Sequence, residues 1–283
     1  MKLKIIHTST FKVDGGAMFG VIPKTLWNKV YPSDENNLCT LANKCFLIET
    51  NNRIFLIDTG IGDKVDEKTQ KFYSIDKENN IVNELEKNNY SINDITDVIL
   101  THLHWDHCGG ATIFKDGKLF PTFPNATYHL SLKQYERAIK PNIRESAAFK
   151  KENFLPLVEN NLINFITNNT KLNENIELRL FDGHTPGLIS VIIKVNDKTI
   201  VIPSDLIPTS ANIPLTWISA YDNNPETVLE EKESLLLEAY YNNFLIFFQH
   251  DYFHDFCNLK LTDKGIRENQ FFKLNDLFLA SES

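Results

Sequence analysis

Six consecutive residues, His102-Leu103-His104-Trp105-Asp106-His107, hold three imidazoles and a carboxylate in the pattern H-x-H-x-D-H. A lone histidine is more often a packed or surface residue than a ligand, but this chain has only eight, and three of them fall here. Imidazole nitrogen together with carboxylate oxygen suits zinc and its first-row neighbours. The apolar run Val98-Ile99-Leu100 comes immediately before and, with Thr101, reads as a strand. Side chains two apart on an extended segment point the same way, so His102 and His104 are expected to share one metal. Asp106 and His107 follow as the chain turns and are expected to serve a second, adjacent metal. A dense donor cluster at a strand end is where α/β proteins place chemistry.

Four donors from one loop do not complete a two-metal site. Three later positions, each just after an expected strand, offer the remainder. His184 lies in Phe181-Asp-Gly-His-Thr-Pro-Gly187, where two glycines and a proline shape a rigid turn. Asp205 ends Val201-Ile-Pro-Ser-Asp205, where a carboxylate is able to bridge two cations. His250 follows Phe244-Leu-Ile-Phe-Phe248 and Gln249. Each has a structural reading when taken singly, since an Asp at a strand end is commonly a turn or a cap. Taken with the first cluster, they supply what a binuclear site needs. The other histidines read as structural: His7 and His129 on strands, His254 close to His250. Cys108, directly after His107, reads as a buried packing residue.

These side chains need a scaffold. Cys45–Glu49 and Arg53–Asp58 read as strands joined at Asn51-Asn52. Residues 79–89 read as an amphipathic helix with Ile81, Val82 and Leu85 on one side. Thr127–Leu130 is a strand, after which Ser131 caps a helix through Ile139. Ile176–Phe181, Ile189–Val195, Thr199–Ile202 and Phe244–Phe248 are strands, and Asn196-Asp197 turns the second into the third. Pro225 after Asn224 opens an acidic helix to Tyr241. A terminal helix is expected near Gly265 to Leu279, and a helical insertion over Lys140 to Asn169. With no repeat and no Pro/Gly/Ser-rich linker, the 283 residues are expected to form one domain.

Bulk properties narrow the function. Hydrophobic residues make up 42% of the chain, with 20 Phe, enough for a substantial core. The 29 basic and 37 acidic residues leave a net charge of −8, and no long basic run appears, so a nucleic-acid partner is not expected. The four cysteines are scattered and form no C-x-x-C pair or disulfide framework. Met1-Lys-Leu-Lys-Ile-Ile-His7 reads as a short strand rather than a signal peptide, and no apolar run is long enough to span a membrane. The expected location is cytoplasmic.

H-x-H-x-D-H, then G-H-T-P-G, then a strand-end Asp and a strand-end His together resemble the metallo-β-lactamase superfamily. Leu56-Ile-Asp-Thr-Gly60 is similar to that family's early strand-and-turn motif. The likeness runs from about residue 40 to His250. It implies a mixed α/β (α+β) fold, an αββα sandwich with the metals at one edge between the sheets. It implies two divalent ions, zinc foremost with Mn, Fe or Co as alternatives. One would be held by His102, His104 and His184, the other by Asp106, His107 and His250, with Asp205 bridging. Asp58 would orient the ligand loop. The expected mechanism is attack by a metal-bridging hydroxide, with Asp106 or Asp205 passing a proton to the leaving oxygen.

A narrower likeness joins Asp14 to Lys24, Phe120 to Tyr128 and Ala220-Tyr-Asp222 to the branch of quorum-quenching N-acyl-homoserine lactonases, which is similar to organophosphate hydrolases. It implies a small-molecule lactone or ester substrate, with a phosphotriester or thioester as the alternative and iron-dependent redox chemistry as a different class. Two positions depart from the pattern. Pro208 stands where some lactonases carry a Tyr, a task Tyr221 is a candidate to take over, and Leu188 stands where the superfamily often has His. Met18, Phe19, Val21 and Trp27 are expected either to form a wall for an acyl chain or to pack in the core. Such lactonases are often dimers, and the segment from Asp14 to Tyr31 is a candidate homodimer interface.

Overall fold

Short apolar runs become strands, and polar residues at their ends cap the helices that connect them. The computed structural model describes residues 1–50, 52–76 and 78–279. In chain order the strands are β1 (Lys2–Asp14), β2 (Leu38–Glu49), β3 (Ile54–Ile57), β4 (Asp97–Ile99), β5 (Thr112–Lys115), β6 (Lys118–Pro121), β7 (Thr127–Ser131) and β8 (Ile163–Ile166). They continue with β9 (Thr170–Lys171), β10 (Ile176–Phe181), β11 (Leu188–Val195), β12 (Lys198–Ile202), β13 (Leu245–Phe247), β14 (Phe256–Thr262) and β15 (Gly265–Phe272). One sheet runs β1-β2-β3-β4-β7-β8 and another β15-β14-β13-β12-β11-β10-β9, with β5 and β6 as a separate hairpin.

The chain divides into two compact units. Unit 1 is Met1–Phe11 with Asn43–Asn168, and unit 2 is Lys12–Ala42 with the residues from Asn169 onward. In unit 1, β3, β4, β7 and β8 are parallel neighbours. Parallel strands need crossovers, and helices Ile81–Lys87 and Leu132–Ile139 lie in two of them. Both are capped: Asn80 accepts the Asn83 N–H at 3.0 Å, and Ser131 that of Gln134 at 3.4 Å. Leu47, Leu56, Val98, Leu100 and Tyr128 form the core with Ile81 and Leu85. Each large apolar side chain so buried contributes about 1.5–3 kcal/mol. In unit 2, Val201 and Ile246 pack with Val228, Leu235 and Leu236 of the helix Pro225–Tyr241.

Most expected elements are present, with boundaries shifted by a few residues. The strand at the N-terminus is longer than expected, running through Asp14. Thr50 N–H reaches Arg53 O at 2.9 Å across the β2–β3 turn, whose Asn51 lies outside the described residues. The terminal helix expected from Gly265 to Leu279 is a correction: Gly265–Phe272 is a strand, and only Asp276–Leu279 is helical. Gly265 adopts φ 90° and Thr262 Oγ1 donates to its carbonyl at 2.7 Å, which folds β15 back on β14 as an antiparallel hairpin. Ladder pairing there overrides the helix propensity of Arg267 and Glu268. The stretch 140–169 carries short helical turns at Ser146–Ala148, Lys151–Asn153 and Leu155–Glu159, then strand β8. No helix among the described residues is long and apolar enough to cross a membrane.

Candidate metal centre

In unit 1 the site begins with Asp58, directly after β3. Its N–H donates to Ile99 O at 2.9 Å, and its backbone is left-handed at φ 58°. A non-glycine residue there is uncommon, and Asp is among the side chains that tolerate it. The turn aims the carboxylate at the loop that follows β4. Asp58 Oδ1 accepts the Thr101 N–H at 2.7 Å, and Oδ2 accepts the Thr101 hydroxyl at 2.7 Å and His107 Nδ1–H at 2.9 Å. The threonine hydroxyl has one proton, spent on Asp58, so its lone pair accepts His102 Nδ1–H at 3.1 Å. One carboxylate thus orients two imidazoles, one of them through a hydroxyl.

Thr59 and Gly60 complete the support. Thr59 N–H and Oγ1 both donate to His107 O, at 2.8 and 3.1 Å. Gly109 lies so close to this segment that a Cβ there would sit 1.8 Å from Ile61 O, which requires glycine after the short helix Trp105–Cys108. Asn43 Nδ2 holds Asp106 O at 2.7 Å. The ring centroids of His102 and His104 are 4.5 Å apart, those of His102 and His107 4.0 Å, and His107 Nε2 lies 3.8 Å from Asp106 Oδ2. His104 Nε2 stands 3.0 Å from Glu145 Oε1, and Glu145 Oε2 takes the Arg137 Nε–H at 2.6 Å. Cys108 is fully buried, donates to Leu103 O, and burial pushes its thiol up, consistent with packing.

In unit 2, His184 sits in the turn between β10 and β11. Glu231 accepts the N–H groups of Asp182 and Gly183 at 2.7 and 2.9 Å, and Asp182 accepts that of Gly187 at 2.9 Å. A Cβ on Gly183 would lie 2.5 Å from Val228, so glycine lets the helix Pro225–Tyr241 close on the turn. His184 Nδ1 meets Asp222 Oδ1 at 2.7 Å, and Asp222 Oδ2 accepts the Ser219 N–H at 3.1 Å. Asp205 follows β12 through Ser204, which is left-handed at φ 52°. His250 follows β13, the parallel neighbour of β12, so both emerge at one sheet edge. His250 Nδ1–H donates to Ala42 O at 2.9 Å, and its N–H to Pro208 O at 3.1 Å. Asp205 Oδ1 is 3.1 Å from His250 Nε2 and Oδ2 is 3.6 Å from His184 Nε2. The carboxylate turns one oxygen toward each imidazole.

Unit 1 therefore gathers His102, His104, Asp106 and His107, and unit 2 gathers His184, Asp205 and His250. In all five histidines one ring nitrogen is tied to a carboxylate, hydroxyl or carbonyl. Such outer partners fix the tautomer and give the opposite nitrogen its ligand character. Imidazoles and carboxylates so arranged have the donor chemistry of a divalent-metal site.

Sequence reasoning missed Thr101, Glu145, Arg137 and Glu231, and gave Asp222 no role. Met18, Phe19 and Trp27 are buried, with Phe19 stacked on Trp27 at 5.1 Å, whereas Val21 is 93% exposed. Tyr221 is exposed, and its N–H donates to Ser219 Oγ at 3.1 Å. His129 is buried between Asp97 and Asn164, and His254 stacks on Phe271 at 3.5 Å.

Comparison with known proteins adds a family. The model of the metallo-β-lactamase superfamily matches residues 40–250. An N-acyl homoserine lactonase of Bacillus thuringiensis is 26% identical over 235 residues, 76% of this chain and 83% of its own. The chain spans only 32% of another relative, the RNase J-like protein of Methanocaldococcus jannaschii, at 25% identity over 148 residues. The crystal structure of a probable metal-dependent hydrolase from Staphylococcus aureus matches with a TM-score of 0.88 at 28% identity, over 96% of each chain. AidC, a dizinc quorum-quenching lactonase solved with a product, matches with a TM-score of 0.79 over 96% of this chain and 95% of its own. At 21% identity that likeness is one of fold.

Proposed function

Starting from the fact that the chain belongs to the metallo-β-lactamase superfamily and is a hydrolase of that fold, we propose that it is a binuclear enzyme that opens a lactone or a related ester. In this reading His102, His104 and His184 hold one ion, Asp106, His107 and His250 hold the other, and Asp205 bridges them. The observation that carries it is the Asp205 carboxylate, one oxygen toward His184 and the other toward His250. That disposition suits a bridge and has no evident use in a single-ion site. Zinc is the metal of choice for this imidazole-rich donor set.

Divalent ions, when bound, supply Lewis acidity toward a carbonyl and acidify water near neutral pH. The chain's own residues do the rest. Asp58, Glu145 and Asp222 hold the imidazoles in fixed tautomers, so little reorganisation accompanies the reaction. In this reading Asp106, whose backbone is pinned by Asn43 and whose side chain is 14% exposed, carries a proton to the leaving oxygen, with Asp205 as the other candidate. The product of a lactone is the ring-opened hydroxy acid. An N-acyl-homoserine lactone is the substrate class favoured by the Bacillus relative.

The test is metal content by mass spectrometry on protein purified without added metal, paired with His104→Ala and a lactone ring-opening assay. About two zinc-like ions per chain, with activity lost alongside metal in the variant, support the proposal. One iron and no ring opening overturn it in favour of redox chemistry. Two ions with turnover of a phosphotriester or thioester, but not of a lactone, keep the centre and replace the substrate.

A further inference from the structure

His104 differs from its neighbours in how it is held. His102 and His107 are anchored at Nδ1, whereas His104 is anchored at Nε2. Its partner, Glu145, comes from the stretch after the helix Leu132–Ile139, which carries no metal-ligand motif. The Glu145 side chain is 4% exposed and that of Arg137 21%. Glu145 is fixed in turn: its N–H donates to Asn142 Oδ1 at 2.8 Å, and its carbonyl accepts the Ala148 N–H at 2.9 Å. Four residues on, the backbone of Phe149 forms a β-bridge with His104, and the two rings lie 5.2 Å apart. One short segment therefore grips both the backbone and the ring of His104.

The chemistry of the contact is directional. Glu145 Oε2 takes the Arg137 Nε–H at 2.6 Å and Oε1 faces His104 Nε2 at 3.0 Å, and a carboxylate paired with a guanidinium in this way accepts at both oxygens. His104 Nε2 must then carry the proton, which leaves the lone pair on Nδ1. We propose that Glu145, oriented by Arg137, is a positioning residue that fixes His104 as the Nε2–H tautomer and so selects Nδ1 as its metal-binding nitrogen. The inference rests on the metal-centre reading above, and extends it to two residues that make no contact with the reacting atoms in that reading.

The experiment pairs two readouts on the full-length chain. Long-range nitrogen–proton correlation on the metal-free protein reads the tautomer, at a pH above the ordinary imidazole value of about 6.5. Competition with a chelator reads the affinity for zinc. The expected wild-type tautomer is Nε2–H. Glu145→Leu should lose that preference and weaken zinc binding about 10- to 100-fold. Glu145→Gln, whose amide oxygen still accepts, should keep the tautomer and lose less than about tenfold. A wild-type Nδ1–H tautomer, or a Glu145→Leu chain with unchanged tautomer and affinity, overturns the proposal. Should Glu145→Leu not fold, Glu145→Gln and Arg137→Met decide: zinc affinity unchanged in both overturns it, and a loss in both with the tautomer kept supports it. A wild-type chain whose tautomer responds to Glu145→Leu but which binds no zinc sinks the metal-centre reading and leaves the tautomer assignment standing.

Discussion

At the scale of single residues, the site depends on carboxylates that are not themselves candidate ligands. Asp58 is the strongest case, because its two oxygens serve Thr101 twice and His107 once. Asp58→Asn keeps the size but replaces one acceptor oxygen with a donor. Its single oxygen cannot replace both Oδ1, which accepts the Thr101 N–H, and Oδ2, which accepts the Thr101 hydroxyl and His107 Nδ1–H. The expected result is a 10- to 100-fold weaker affinity for zinc, read by chelator competition, with secondary structure unchanged by circular dichroism. The seven candidate ligands were legible as candidates because His and Asp are conspicuous at strand ends in this spacing. Glu145 and Glu231 were not, because one carboxylate among the chain's 37 acidic residues carries no signal of its own. Their roles come from which turn the chain brings them to, and that is decided by tertiary packing.

Among elements, the loop after β4 is held from both ends of its strand. Beyond the C-terminal end stands Asp58. At the N-terminal end, buried Asp97 bonds the Arg53 guanidinium, His129 Nε2 at 2.8 Å and the Thr96 hydroxyl at 2.8 Å, while Asn164 Nδ2 meets His129 Nδ1 at 3.0 Å. The network ties β4 to β7 and β8. Burial raises the Asp97 carboxyl, but the bonds from His129, Arg53 and Thr96 outweigh it and leave it below the usual carboxylate value. A depressed folded-state value adds stability that is present above the unfolded value of about 3.9 and is lost as pH falls through the folded one. Asp97→Asn should therefore cost about 2 kcal/mol near neutral pH, at the low end for a buried pair because Arg53 is 40% exposed. The gap to wild type should close below about pH 4, as measured by urea unfolding across pH. The turn before β11 makes a second case. In Gly183→Ala the new Cβ meets the Val228 backbone and side chain, so the helix Pro225–Tyr241 must shift, at about 1–3 kcal/mol. Denaturant midpoints measure this, and zinc affinity should fall with it through His184. The strands around the site were readable as runs of β-branched and apolar residues. The strand Gly265–Phe272 was not, because its Arg, Glu and Gln suit a helix and only the Gly265 turn commits it to β14.

For the whole molecule, the family match and the donor clusters lead to one physical consequence. Unit 1 carries four candidate ligands and unit 2 three, and in the proposed arrangement bound ions would stabilise the native chain. A ligand that binds only the native state stabilises it by about 2.7 kcal/mol at a hundred times its dissociation constant. For a chain of this size each kcal/mol moves the melting temperature by about 2–4 °C. Chelation of the purified protein should thus lower its melting temperature measurably, and zinc should restore it. The informative arms are His104→Ala from unit 1 and His184→Ala from unit 2. In the proposed arrangement both remove a ligand of the same ion, so each should melt lower than wild type in zinc and respond less to chelator. The double variant should add little to either single one, because residues sharing one ion are not independent. If the two losses add in full, the two histidines serve different sites, and the ligand assignment for the first ion is wrong. If only His104→Ala abolishes the response, the metal belongs to unit 1 alone, and Asp205 must be reconsidered as a structural carboxylate between His184 and His250.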